Sequence, residues 1–314
     1  MDHHAVSRGQ SLLRPRDIII TGGLSAFYLL LSATFIGFKA DQLILVIVCN
    51  AMYYATAQTR KFILGFTVFI AYWVLYDSMK AYPNFTFNTV SIEDLYNFEK
   101  SYFGINVDGH RMTLNEYFAA NGNTFIDILT GVFYLCWIPV PLAFALYLYF
   151  TKRDFFLYFL MTFFLVNFLG FIIYYLYPAA PPWYVEKYGF EFVPLTDSNT
   201  AGLVKFDEFF GISLFGSLYA KGSNVFAAMP SMHSAYPFIV LYYSVKRRLR
   251  WGSVLFAIVT AGIWFAAVYT RHHYVVDVLF GVLVAATGIG LFNLLRTRVR
   301  VVRNFVNNYL AAIM

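Results

Sequence analysis

Eight stretches of this chain are apolar enough and long enough to cross a lipid bilayer as helices, and no other feature restricts the fold as tightly. They run near residues 17–37, 41–57, 61–79, 125–150, 154–177, 230–245, 251–270 and 273–295. A helix needs about 20 residues to span a hydrocarbon core roughly 30 Å thick. Within lipid, every backbone N–H and C=O must be satisfied by the protein itself, which leaves helices or a closed barrel. Segments of this length select helices. Composition agrees: 60% of the 314 residues are hydrophobic and 13% are charged, whereas a soluble domain is nearer half apolar and a quarter charged. The expected fold is an all-α, polytopic transmembrane bundle of about eight spans, a single domain over residues 1–314. Two long polar intervals, roughly 80–124 and 178–229, interrupt it. The opening MDHHAVSRGQSLLRPRD is polar and shows no cleavable signal pattern, so the first span is expected to do the targeting.

A formal charge of +6 would suit nucleic acid, but its placement excludes that partner. The basic residues sit in short clusters between apolar segments, the pattern of topogenic charge. With the N-terminus cytoplasmic, the inner segments hold Arg8, Arg14, Arg16, Arg60, Lys61, Lys152, Arg153, Lys246, Arg247, Arg248, Arg250, Arg296, Arg298, Arg300 and Arg303. The outer segments hold Lys39, Lys80, Lys100, Arg111, Lys187, Lys205, Lys221 and Arg271, in long loops that are also acidic. This alternation requires an even number of spans and places both termini in the cytoplasm. The stretch SIEDLYNFEKSYFG mixes acids and aromatics at helical spacing and is expected to lie along the outer interface. RTRVRVVRNFVNNYL reads as a basic interfacial tail on the inner side. Cys49 and Cys136 lie inside apolar segments and support neither a disulfide framework nor a zinc site.

Of the six histidines, His3 and His4 belong to the terminal tail and His110 to a polar loop without an evident partner. His233, in AAMPSMHSAYP, and His273, in YTRHHYVVDVLFG, are the informative ones. Asp277 follows His273 by four positions, so the two share a helix face. A carboxylate there can accept one ring proton, fix the tautomer and leave the other nitrogen as a nucleophile. A capped, satisfied histidine would look the same, so this pair alone decides nothing. His233 adds to it. Pro230 suits the first position of a helix, which would leave the amides near Ser231 to Ser234 free as an anion site. Pro237, one turn on, cannot bond the carbonyl of His233 and predicts a kink. In the eight-span topology His233, His273 and Asp277 all start spans at the outer or lumenal face, at headgroup depth.

These residues resemble the type 2 phosphatidic acid phosphatase superfamily. Its second motif, Pro-Ser-Gly-His, corresponds to Pro230-Ser231-Met232-His233, and its third, His-x3-Asp, to His273 through Asp277. The chain is more similar still to the fungal inositol phosphorylceramide synthase branch. That branch shows Tyr/Phe-Pro-x-Ala-Pro-Pro-Trp-Tyr, here Tyr177 to Tyr184, and Thr-His-His-Tyr-x-Val-Asp, here Arg271 to Asp277 with Arg271 in place of Thr. The resemblance covers about 125–295, the expected catalytic core. Departures accompany it. The first motif, Lys-x6-Arg-Pro, is absent, Ala266-Ala267 stands where Ser-Arg is expected, and Met232 replaces glycine. The missing cations point toward a phosphodiester donor, with one negative charge, rather than a monoester near −1.5 to −2 at neutral pH.

The resemblance implies a phosphotransferase that moves phosphoinositol from phosphatidylinositol to a ceramide-type hydroxyl and releases diacylglycerol. His273 would be the nucleophile, Asp277 its support and His233 the acid and base. Ser231, Ser234, Arg271, His272, Lys187, Trp183 and Tyr184 are the candidate substrate contacts. For several of them a plainer role stands beside this one: Trp183 and Tyr184 as interfacial aromatics, Arg271 as a helix-end anchor, His272 as a supporting or surface residue. Asp77 and Asp127, near outer helix ends, suit a polyol headgroup or helix-end charge equally, and Asn84-Phe85-Thr86 is a glycosylation-type triplet. No further carboxylate or cysteine stands at ligand spacing, so no metal and no cofactor is expected. The partners expected are a phospholipid donor, a ceramide-type acceptor and the membrane, a bacterial inner membrane or a Golgi-type one; no protein partner is readable. Two other functions fit the same residues: a lipid phosphate phosphatase with water as acceptor, and a lipid-binding or transport protein without catalysis.

Overall fold

A computed structural model describes residues 13–79, 81–220, 222 and 224–314. The readings made at His3, His4, Arg8, Lys80 and Lys221 lie outside these. The chain packs as two compact units, one of residues 1–81 and 308–314, the other of residues 82–307.

The first unit is built on three helices. α1 (Pro15–Leu31) starts with Pro15 in its first turn, and a π-helical turn over Ser32–Ile36 prolongs it. Gly37, at φ 92°, ends it, a conformation a side chain would strain. α2 (Ala40–Ala55) and α3 (Ala57–Ser78) follow, α3 capped by Thr56 in a reciprocal pair with Thr59. Arg60 of α3 pairs with Asp17 of α1 at 3.2 Å.

The second unit opens with the polar interval. α4 (Glu93–Tyr102) leads to an antiparallel hairpin of β1 (Ile105–Val107) and β2 (His110–Met112), with Ile105 opposite Met112. Its turn residues Asp108 and Gly109 both take positive φ, as a two-residue hairpin requires. α5 (Leu114–Ala120) is capped by Thr113 and Glu116. α6 (Thr124–Leu135) and α7 (Pro139–Thr151) occupy the stretch expected as one span; Pro139 and Pro141 withhold N–H donors at the junction and separate them. α8 (Arg153–Leu176) is followed by the short α9 (Pro182–Tyr188), α10 (Val204–Phe210) and α11 (Leu214–Tyr219) of the second polar interval. α12 (Met232–Lys246), α13 (Arg250–Tyr269), α14 (Val275–Arg298) and α15 (Arg300–Ile313) complete the chain, the residues of α15 from Asn308 on counting with the first unit. α12 is the centre of this unit, packed on α8, α13 and α14.

Among the described residues, six helical stretches are long and apolar enough to cross a membrane: 15–36, 57–78, 124–151, 153–176, 250–269 and 275–298. The shorter α2 and α12 fall on the other two expected spans. The protein is an integral, multi-pass helical membrane protein.

Candidate active site

The site is assembled where α12 and α14 begin. Ser231 is the N-cap of α12, its hydroxyl accepting from the Ser234 amide. Pro230 therefore precedes the cap rather than entering the first turn, which corrects the placement read from sequence. Pro237 does lie inside α12, as expected. The two helix starts are tied together directly: the Ser231 amide donates to the Asp277 carbonyl at 2.9 Å, and the Ser234 hydroxyl donates to the carbonyls of Ser231 and Val278. Gly281 permits this closeness, since a Cβ there would run into the Ser231 carbonyl and the Ser234 hydroxyl.

This contact brings His233 and His273 face to face, Nδ1 of His233 lying 2.9 Å from Nε2 of His273. His273 is 5% exposed and Asp277 fully buried. The Nδ1 of His273 lies 2.9 Å from the Ala228 carbonyl, which can only accept. That nitrogen therefore carries the proton, and Nε2 keeps its lone pair. His233 then holds its own proton on Nδ1, pointing at that lone pair. Asp277 stands farther off, Oδ2 3.6 Å from Nδ1 of His273, and accepts from the Tyr274 amide at 2.8 Å. The expected carboxylate–imidazole bond is thus replaced here by a carbonyl–imidazole bond with the carboxylate alongside. The ring of His233 rests against Trp137 and Tyr134, with centroids 4.4 and 4.9 Å away.

The supporting residues take distinct places. Arg271 is 3.2 Å from Glu186 through Nε and Oε2, so its charge is already matched. Lys187 is exposed, its ammonium over the Tyr188 ring. His272 is buried between the rings of Tyr134 and Tyr219, with Nδ1 against Thr270. Burial, seconded by the nearby charge of His273, lowers its pKa to about 3, so it brings no positive charge at neutral pH. Trp183 and Tyr184 are buried in a cluster with Ile92, Ala180, Ala201 and Phe226. The Tyr184 hydroxyl donates to the Glu191 carbonyl and accepts from the Val193 amide, and the Trp183 amide donates to the Arg271 carbonyl. Asp127 accepts from the Tyr269 hydroxyl at 2.8 Å, and Asp77 lies 3.4 Å from the Gln42 amide. Asn84 is buried, its amide donating to the carbonyls of Tyr174 and Phe226, which leaves no room there for a glycan.

Several residues that frame the histidines carry no signal in the sequence. Ala179, within the Tyr177 to Tyr184 stretch, bridges Ser91 on one side and Ala227 on the other. That arrangement holds Ala228, whose carbonyl sets the tautomer of His273. Asn115, 3% exposed, donates to the carbonyls of Val268 and His273 and pins the loop between α13 and α14. Glu99 faces the start of α14 rather than lipid or water, its oxygens accepting from the amides of Val275 and Val276. The helix expected over 91–104 therefore exists, with a buried acid that interfacial packing alone does not explain.

Residues 103–291 match the PAP2 superfamily. Over 288 residues the chain is 42% identical to the phosphoinositol dihydroceramide synthase of Bacteroides thetaiotaomicron, covering 91% of this chain and 94% of that protein. It is 28% identical over 179 residues to the inositol phosphorylceramide synthase of Candida albicans, 52% of this chain and 37% of that one. The corresponding catalytic subunit of Saccharomyces cerevisiae is 30% identical over 123 residues, 37% of this chain and 29% of its own. No solved structure matches the chain.

Proposed function

The chain belongs to the PAP2 superfamily and is a membrane lipid phosphotransferase, and from that premise we propose that it moves phosphoinositol from phosphatidylinositol to the primary hydroxyl of ceramide or dihydroceramide. The observation that carries the chemistry is the facing pair, Nε2 of His273 2.9 Å from Nδ1 of His233, with the other nitrogen of His273 held on the Ala228 carbonyl. The substrates follow from the relatives that carry such an activity in their names.

The donor phosphate enters between the two rings, which must part to admit it. Nε2 of His273 attacks phosphorus, the bond to the diacylglycerol oxygen breaks, and His233, an imidazolium with a second proton on Nε2 once the anionic phosphate sits beside it, hands that oxygen its Nδ1 proton and is left neutral. The enzyme is left as an inositol-bearing phosphohistidine. In the second half the acceptor hydroxyl gives its proton back to His233, its oxygen attacks phosphorus, and the phosphorus–nitrogen bond breaks. Asp277, buried beside Nδ1 of His273, stabilises the positive charge that develops on that ring. Of the amides opening α12, expected to be free, those of Ser231 and Ser234 are already bonded to the Asp277 carbonyl and the Ser231 hydroxyl, so the helix dipole rather than a row of free donors favours the phosphate here. Arg271 matched by Glu186, and His272 neutral, leave little excess positive charge here. That suits a singly charged diester better than a monoester.

The test is purified protein with labelled phosphatidylinositol and ceramide in EDTA. Label is expected in a sphingolipid, in step with diacylglycerol release. Free phosphate appearing at full rate from a monoester, without any lipid acceptor, would replace this reading with a phosphatase.

A further inference from the structure

The first turn of α14 presents backbone N–H groups that no preceding turn can satisfy. Two carboxylates divide them. Asp277, from within that turn, accepts from Tyr274 at 2.8 Å through Oδ2. Glu99, carried in by α4, accepts from Val275 at 2.9 Å through Oε1 and from Val276 at 3.1 Å through Oε2. Glu99 is wholly buried, and no Lys or Arg pairs with it among the described residues. Its counter-charge is the positive end of the helix. Both oxygens are in use, and the helix they hold carries Asp277 two residues farther on, with His273 just ahead of it.

We propose that Glu99 is a positioning residue for the transfer: its ionised carboxylate clamps the first turn of α14 and so sets Asp277 and His273 against His233. The proposal rests on the phosphotransfer at His273 described above. The clamp works in one ionisation state only. A protonated carboxyl keeps one acceptor and turns an O–H toward the other amide, so one of the two buried N–H groups loses its partner. A glutamine at this position does the same permanently. Burial foremost pushes the Glu99 carboxyl up to about 7, the two amides opposing and the charge of Asp277 adding. From α14 the groups facing it are Asp277 and Tyr274, and on its own helix Tyr96; both phenols are raised by burial and stay neutral through this range.

The test compares kcat and donor KM for wild type, Glu99→Gln, Glu99→Asp and Glu93→Gln, from pH 5.5 to 8.5, with Tm at each pH. Glu93 is an exposed residue of the same helix and serves as control. At pH 8 Glu99→Gln should lose about 10- to 100-fold in kcat, the scale of a displaced reacting group, with donor KM little changed. The ratio of wild type to variant should shrink toward one as pH falls below about 6, where the wild-type clamp is itself protonated. Its Tm at pH 8 should not drop, because an amide is easier to bury than a charge. A ratio that stays constant with pH, full kcat in Glu99→Gln, or a slow variant whose Tm falls in parallel would overturn the clamp. Should Glu99→Gln fail to fold, Glu99→Asp decides: it keeps the charge and must keep the acid limb at lower kcat, and losing that limb overturns the proposal equally. If wild type itself moves no phosphoinositol, the proposed function falls and takes the clamp with it. An active wild type with a pH-independent ratio sinks the clamp alone.

Discussion

His273 reaches its reactive tautomer through a peptide carbonyl, and that decides how substitutions around it differ. His273→Ala removes the nucleophile, so turnover and acid-labile label on the protein should both vanish. His233→Ala leaves the nucleophile but no proton for the leaving oxygen, an expected loss of about 10²- to 10⁴-fold in kcat. Asp277→Asn should be milder, because Ala228 still holds the Nδ1 proton; a slowed enzyme that still forms the phosphohistidine is expected. An Asp277→Asn variant as dead as His273→Ala would show that the carbonyl does not suffice. Glu99 adds a stability signature of opposite sign to its effect on rate. Its carboxyl sits at about 7 in the folded protein against 4.5 for the free group. Between those values the folded protein keeps a proton that the unfolded chain has released. Stability therefore falls as pH rises through that window, by about 3 kcal/mol at most, and is flat below it. Thermal melts from pH 4 to 8 should show this decline in wild type and a shallower one in Glu99→Gln.

The joining of α12 to α14 depends on a residue with no side chain. At Gly281 an added methyl meets a backbone carbonyl, which cannot rotate away. Gly281→Ala should force the helix starts apart, costing about 1–3 kcal/mol and separating the two histidines. Activity should fall at least tenfold while Gly290→Ala, on the same helix facing open space, leaves it unchanged. Full activity in Gly281→Ala would mean the two helices do not set the site. Helices were the readable part of this chain, because a span must be apolar along its whole length and the sequence prints that directly. His233, His273 and Asp277 were readable for a similar reason: ionisable residues stand out at the start of an apolar run. The division of α6 from α7 was written in Pro139 and Pro141, and the hairpin in Asp108-Gly109, yet neither signal outweighs a long apolar or polar stretch read as one piece. Glu99, Asn115 and Ala228 were not readable. Each acts on a residue far along the chain, from 176 positions away for Glu99 and Val275, and a lone acid in an amphipathic helix looks like any solvated one.

Which side of the membrane holds the chemistry follows from how the polar intervals attach. In the unit of residues 82–307, the interval holding α4 and α5 contributes Glu99 and Asn115 to the start of α14, and the interval after α8 contributes Ala228. Both intervals therefore lie at the end of the bundle where His233 and His273 stand, while the Lys246–Arg250 loop joins α12 to α13 at the other end. Basic residues collect in cytoplasmic loops, so this loop is expected inside and the site outside or in the lumen. The prediction is made in a background lacking Cys49 and Cys136, the two native thiols. Single cysteines at Asn121 and Glu191, both exposed, should react with an impermeant thiol reagent in sealed vesicles of native orientation. One at Arg248, exposed on the opposite loop, should react only after permeabilisation. Labelling of Arg248→Cys alone would put the histidines in the cytoplasm. The acceptor and the donor headgroup would then have to be drawn from that leaflet, and the basic clusters would have failed as guides to orientation.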